Sequence, residues 1–146
     1  AQEGEAAPEL LSLLLNSLYA LDQLDRPLAL VKAAYELRLM CLAGYEPLVD
    51  ACAVCGVPEP EQPRFHLTEG VLHCASCRVG EGDDLPLTPG AVAAMRHIVY
   101  GNPKRLFSFR ADGDSLARLG RACEQFLTTQ LDRGFRTLDF YHQWGN

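Results

Sequence analysis

Apolar residues crowd the start of the chain: Leu10, Leu11, Leu13, Leu14, Leu15, Leu18, Tyr19 and Leu21 follow Pro8. That density predicts a first helix buried on most of its sides. Leu28, Val31, Ala34, Tyr35, Leu39 and Leu42 then recur at helical spacing after Pro27, a good first-turn residue, and stop at Gly44, with Pro47 preventing resumption. From about 49 to 80 the pattern becomes β-like. Arg64-Phe65-His66-Leu67 and Val71-Leu72-His73 flank a turn containing Glu69-Gly70, which presents Cys74 at the end of a hairpin. Glu81-Gly82-Asp83-Asp84 reads as an exposed linker. Thr88-Pro89 supplies an N-cap and a first-turn proline for a helix through Val92, Met95, Ile98 and Val99, ending at Gly101-Asn102-Pro103. Asp114 or Ser115 caps the last helical run, Leu116, Leu119, Cys123, Phe126, Leu127 and Leu131, which is expected to close at Gly134. The apolar tail from Phe135 to Tyr141 suggests docking onto the bundle. The expected fold is mainly α: a helical bundle formed by 1–48 and 81–146, with a small Cys₄ zinc hairpin module inserted at 49–80.

The module is defined by its cysteines. Cys52-Ala53-Val54-Cys55 and Cys74-Ala75-Ser76-Cys77 form two C-x-x-C pairs separated by eighteen residues, the spacing of a tetrahedral Cys₄ zinc site. Two intervening residues let one tight turn aim both sulfurs at one ion, and Gly56 supplies the permissive backbone. Iron in a rubredoxin-like cage fits the same spacing. A disulfide framework lacks a preceding secretory signal, and a redox pair usually stands alone near a βαβ pattern. Four thiolates leave no open coordination position, so the ion would hold structure without activating water. His66 and His73, between the pairs, read as strand residues before ligands. Cys41 and Cys123 lie in apolar helical patterns and read as small buried hydrophobes.

At 146 residues the chain can hold one ordinary domain plus a metal-stapled module too small to fold alone. No apolar run approaches the ~18 to 20 residues of a membrane span, so a soluble protein is expected. The chain starts at Ala1 with a weakly apolar stretch and reads as a fragment of a longer protein. Charge is uneven within a net of −6: residues 1–95 carry five Lys or Arg against fourteen Asp or Glu, and residues 96–136 carry eight against four. The basic stretch holds Arg96, Lys104, Arg105, Arg110, Arg118, Arg121, Arg133 and Arg136, with Phe107 and Phe109 interleaved. Guanidinium forks could contact phosphates there and an exposed phenylalanine could stack a base. The plainer alternatives are a solvated helix face, with Arg121 and Glu124 spaced for an ion pair, and core phenylalanines. Enzymatic signals are missing: no Gly-rich phosphate loop, no nucleophile elbow, no H-E-x-x-H helix, and Asp83-Asp84 reads as solvent-facing.

The run from Tyr35-Glu36-Leu37-Arg38-Leu39-Met40 through Gly44-Tyr45-Glu46-Pro47 to Cys52-Ala53-Val54-Cys55-Gly56 resembles the aromatic-E-x-x-L-L…G-y-x-P…C-x-x-C-G segment of the bacterial recombination mediator RecO family. Phe65, Gly70, Cys74 and Cys77 match that family's hairpin and second knuckle, and Arg136-Thr137-Leu138-Asp139-Phe140 is similar to its closing stretch, with threonine before leucine. The resemblance implies a protein of DNA repair and homologous recombination that binds single- and double-stranded DNA and anneals strands. It would cooperate with RecR, bind the acidic, apolar C-terminal tail of the single-stranded-DNA-binding protein and help load RecA. It implies a cytoplasmic, nucleoid-associated location, and an N-terminal OB-fold whose strand pattern this sequence does not contain. The working expectation is a scaffold and tether that is not an enzyme. Cys52, Cys55, Cys74 and Cys77 would hold structural Zn²⁺, and Arg38, Arg96, Lys104, Arg105, Arg110, Arg118 and Arg121 are candidates for DNA or acidic-tail contact. The alternatives are a zinc-containing transcription or regulatory module reading duplex DNA through a helix, and a metal-dependent enzyme, which would need an open coordination position.

Overall fold

Local chemistry at proline, glycine and threonine sets most of the element limits. Pro27 precedes α2 (Leu28–Leu42), and Gly44, at φ +95°, turns the chain away after it. The computed structural model describes residues 3–145, with side-chain surroundings for residues 8–134. α2 buries Leu30, Val31, Ala33, Ala34, Leu37 and Met40 and forms the centre of the bundle, touching α1 (Glu3–Asp22), α3 (Pro89–Tyr100) and α4 (Gly113–Gly145). Thr88 caps α3, its Oγ1 accepting the Ala91 N–H at 3.0 Å, and the same hydroxyl lies 2.6 Å from Ser115 Oγ, so the starts of α3 and α4 are joined.

Three helix expectations need correction. α1 runs through Pro8 instead of starting after it; a proline this near the start removes one backbone bond and leaves the rest of the helix intact. α4 is capped by Asp112, not by Asp114 or Ser115: its Oδ1 accepts the Ser115 N–H at 2.8 Å, and that bond holds the carboxyl below the usual carboxylate range. α4 also continues past Gly134 to Gly145. A glycine inside a helix costs only about 1 kcal/mol relative to alanine, too little to stop a run with no proline behind it. The expected docking of Phe135 to Tyr141 lies outside the residues whose side chains are described.

Burial of α1 is the largest departure. Among its residues with described surroundings, Leu13, Ser17 and Ala20 are the ones that face inward, whereas Leu11 (57% exposed), Leu15 (55%), Leu18 (54%) and Tyr19 (56%) lie on the surface with Leu10 and Leu14. The helix carries two stripes, and the narrower one, at 13, 17 and 20, is the one that meets the bundle. Among the described residues no helix is long and apolar enough to cross a membrane.

Between α2 and α3 lies a three-stranded antiparallel sheet of order β2-β1-β3, formed by β1 (Pro63–His66), β2 (Val71–Cys74) and β3 (Asp84–Pro86). Arg64 pairs with His73, Phe65 with Leu72, and Phe65 also with Leu85. The end of the expected linker, Asp84, is therefore a strand residue. Gly70 turns the hairpin at φ +66°, and a Cβ there would stand 3.0 Å from the Phe126 ring, so both conformation and space call for glycine. Phe65 is fully buried and meets Phe126 of α4 edge to face, centroids 5.3 Å apart at 84°. Val49, Phe65, Leu67, Leu72 and Leu87 belong to the same core as the helices. The fold is thus mainly α, a helical bundle whose core extends into the cysteine-bearing hairpin.

Candidate metal centre and basic surface

The first knuckle is shaped by its own backbone. The Cys52 N–H donates to the Val57 carbonyl at 2.8 Å, the Gly56 N–H returns to the Cys52 carbonyl at 2.9 Å, and Gly56 takes φ +80°. The second knuckle closes at the end of β2, where the Cys77 N–H donates to the Cys74 carbonyl at 3.1 Å. These turns bring the sulfurs of Cys52, Cys55, Cys74 and Cys77 within 4.8 Å of one another, with Cys55 and Cys74 at 3.7 Å. Tetrahedral zinc with Zn–S near 2.3 Å spaces its sulfurs about 3.8 Å apart, so the cage fits such an ion. His66 and His73 are not part of this cluster.

Charge within the cage is unequal. Burial raises the Cys52 thiol, but N–H groups of Cys55, Val54 and Cys74 point at its sulfur and bring it down to about 6. Burial and the neighbouring sulfurs push Cys74 up to about 12 and move Cys77 the same way. A bound cation would supply the positive charge that lets all four act as thiolates. Cys41 and Cys123 behave differently: burial lifts Cys41 to about 11 and raises Cys123 as well; Cys123 is fully buried as expected, whereas Cys41 is only partly so.

Beside the second knuckle, one face of the sheet carries a polar cluster missed by sequence reasoning. Asp84 of β3 accepts from Arg64 Nη2 of β1 at 2.9 Å and lies 3.1 Å from His73 Nε2 of β2, whose Nδ1 donates to the Cys74 carbonyl at 2.8 Å. Strand alternation was the available signal, since it puts Phe65 and Leu72 inward and Arg64 and His73 together on the other face. The Arg64 bond is the chief reason the Asp84 carboxyl lies below its usual range. A depressed carboxyl contributes stability that is full above its ordinary pKa and is lost as pH falls through the lowered value. Asp84→Asn is expected to cost about 1 kcal/mol at neutral pH, given the pair's partial exposure. In urea denaturation the difference from wild type should shrink as pH falls below the ordinary carboxylate range; an undiminished difference in strong acid would contradict this account.

The candidate cations do not form one set. Arg96 binds the backbone on both sides of the first knuckle. Arg118 pairs with Asp114 at 3.2 Å, and Arg38 donates from Nη1 to the Val99 carbonyl at 3.2 Å. Lys104, Arg105, Arg110 and Arg121 are exposed. Glu124 pairs across helices with Lys32 at 2.9 Å, in place of the expected Arg121. Phe107 and Phe109 are buried, 7% and 8% exposed, which corrects the thought that one of them stacks a base. Arg38 lines a cavity of about 240 Å³ between α1, α2 and the turn after α3, together with Leu13, Asn16, Leu42, Pro103 and Leu106, and with Glu9 also on its wall.

The family model described as "Recombination protein O C terminal" matches residues 1–139. The chain is 33% identical over 139 residues to the DNA repair protein RecO of Acetivibrio thermocellus, covering 94% of this chain and 55% of that protein. It is 30% identical over 143 residues to that of Symbiobacterium thermophilum (95% and 55%) and 38% over 126 residues to that of Anaeromyxobacter dehalogenans (85% and 47%). The chain thus spans about half the length of these curated relatives. No solved structure matches it.

Proposed function

The chain belongs to the recombination protein O C-terminal family, and from that membership we propose that it is the helical, metal-holding part of a DNA repair and recombination mediator, acting as scaffold and tether without bond chemistry. Zinc is the metal of this reading: a closed tetrahedral thiolate cage suits an ion that needs no open position, and its role is to hold the hairpin. The full-length assembly would bind single- and double-stranded DNA, cooperate with RecR in annealing strands and, indirectly, load RecA, in the cytoplasm and at the nucleoid.

The observation that carries the partner reading is the cavity beside Arg38. An acidic peptide ending in apolar residues, such as the tail of the single-stranded-DNA-binding protein, needs an apolar slot with a cation at hand. Leu13, Leu42 and Leu106 supply the slot, and the Arg38 guanidinium, steadied by the Val99 carbonyl, supplies the charge. Lys104, Arg105, Arg110 and Arg121 are the residues assigned to phosphate contact, since they are exposed and in chain order border the turn and helix after α3.

Calorimetry with an acidic peptide ending in a free apolar carboxyl terminus tests this, with a single-stranded oligonucleotide titrated in parallel at two salt concentrations. Saturable peptide binding that drops about tenfold in Arg38→Ala is expected, together with oligonucleotide binding that weakens with salt. Peptide affinity unchanged by Arg38→Ala would remove the cavity from the proposal, and binding to neither probe would remove the tether role from this part of the protein.

A further inference from the structure

Arg96 lies on α3, yet its guanidinium is occupied by a segment 37 to 47 residues earlier in the chain. Nε donates to the Val49 carbonyl at 2.7 Å and Nη2 to the Asp50 carbonyl at 3.2 Å, both just before Cys52. Nη2 also donates to the Pro58 carbonyl at 2.5 Å, and Nη1 meets Glu59 Oε1 at 2.6 Å, both just after Cys55 and Gly56. One planar fork therefore ties together the two stems of the knuckle that presents Cys52 and Cys55. One turn further along α3, the Tyr100 hydroxyl accepts the Val49 N–H at 3.0 Å and lies 3.4 Å from the Pro47 carbonyl, to which it donates.

We propose that Arg96 is a positioning residue for the metal centre, which clamps both stems of the first knuckle so that Cys52 and Cys55 are presented to the ion already placed. The inference rests on the reading that the cage holds zinc and adds a residue that contacts no sulfur. A knuckle whose stems are untied must be ordered by the metal itself, and that ordering is subtracted from affinity. Only arginine can do this from α3. Its five N–H donors in a fixed plane reach three carbonyls and a carboxylate at once, whereas a lysine presents a compact point charge. The Glu59 partner is 73% exposed, so the three carbonyl bonds, not the ion pair, carry the effect.

The test is zinc affinity measured by competition with a chromophoric chelator, well below the melting temperature, on the whole chain. Arg96→Gln is expected to weaken zinc binding by about 10- to 100-fold, the range seen when groups that orient metal ligands are removed. Arg96→Lys should fall between Arg96→Gln and wild type, and Glu59→Gln should stay within about threefold of wild type. Val99→Ala, a core truncation on the same helix, serves as the comparison: it should lower the melting temperature while leaving zinc affinity within about twofold. Equal zinc affinity in Arg96→Gln and wild type would overturn the inference, as would an equal loss in Val99→Ala. A wild-type chain that takes up no zinc would overturn the metal reading and this inference with it, which separates that failure from the other two.

Discussion

Cys52→Ser, or removal of the metal by a strong chelator, is expected to disorder the hairpin and to lower the melting temperature of the whole chain by on the order of 10 °C or more. Cys52 is 3% exposed and its sulfur is the focus of three backbone N–H groups, from Val54, Cys55 and Cys74. A serine hydroxyl stays protonated at neutral pH and cannot take the place of a thiolate ligand. Structural zinc in small domains contributes roughly 10 to 16 kcal/mol of apparent binding energy at neutral pH, so loss of one ligand exceeds the margin of a small module. The effect should reach the helices because Val49, Phe65 and Leu72 share their core. The pH dependence follows from the thiols. Cys52, lowered to about 6, contributes stability that is present above the ordinary thiol range and is lost as pH falls through that value. Protons also compete with the metal at Cys74 and Cys77, so metal retention should weaken on acidification. Thermal melts with metal content measured on the same samples check this. A metal-free Cys52→Ser chain with wild-type melting would show that the cage has no structural role.

Phe126→Ala should be the most damaging single change on the helical side, costing about 3 to 5 kcal/mol. The ring is 2% exposed, stands edge to face on the fully buried Phe65, and covers the hairpin turn at Gly70. No other aromatic pair in the described residues joins a helix to the sheet. Truncation therefore leaves a cavity at the seam, and neighbours on two differently oriented elements cannot both close it. Urea denaturation followed by far-ultraviolet circular dichroism should show the loss, with Leu131→Ala, exposed on the same helix at 50%, changing stability by less than about 0.5 kcal/mol. If the two substitutions cost the same, the seam is not where bundle and hairpin are joined.

What could be read in advance was local chemistry. The C-x-x-C pairs announced a cage because the turn and the ligands lie in the same four residues, and Pro27, Thr88-Pro89 and Gly101 marked helix limits because capping acts within one turn. Errors arose where a tertiary choice decides. The leucines of α1 make two stripes, and periodicity does not say which one meets α2. Gly134 looked like a stop, yet a glycine in a helix costs less than ending it. Arg96 falls in the basic stretch 96–136, but three of its four partners are carbonyl oxygens, which every residue possesses and no sequence pattern reveals. Phe107 and Phe109 alternate with polar residues as a stacking platform would, and the turn after α3 folds both into the core.

The outward stripe of α1 makes the chain an amphiphile on the scale of the whole molecule. Leu11, Leu15, Leu18 and Tyr19 are wetted by solvent, so they add little to folding strength while forming a greasy ridge on an otherwise acidic particle of net charge −6. Apolar contact through that ridge and charge repulsion from the rest of the surface would act in opposite directions on self-association. Substitutions on that ridge would therefore bear on solubility more than on folding, whereas those in the core bear on folding.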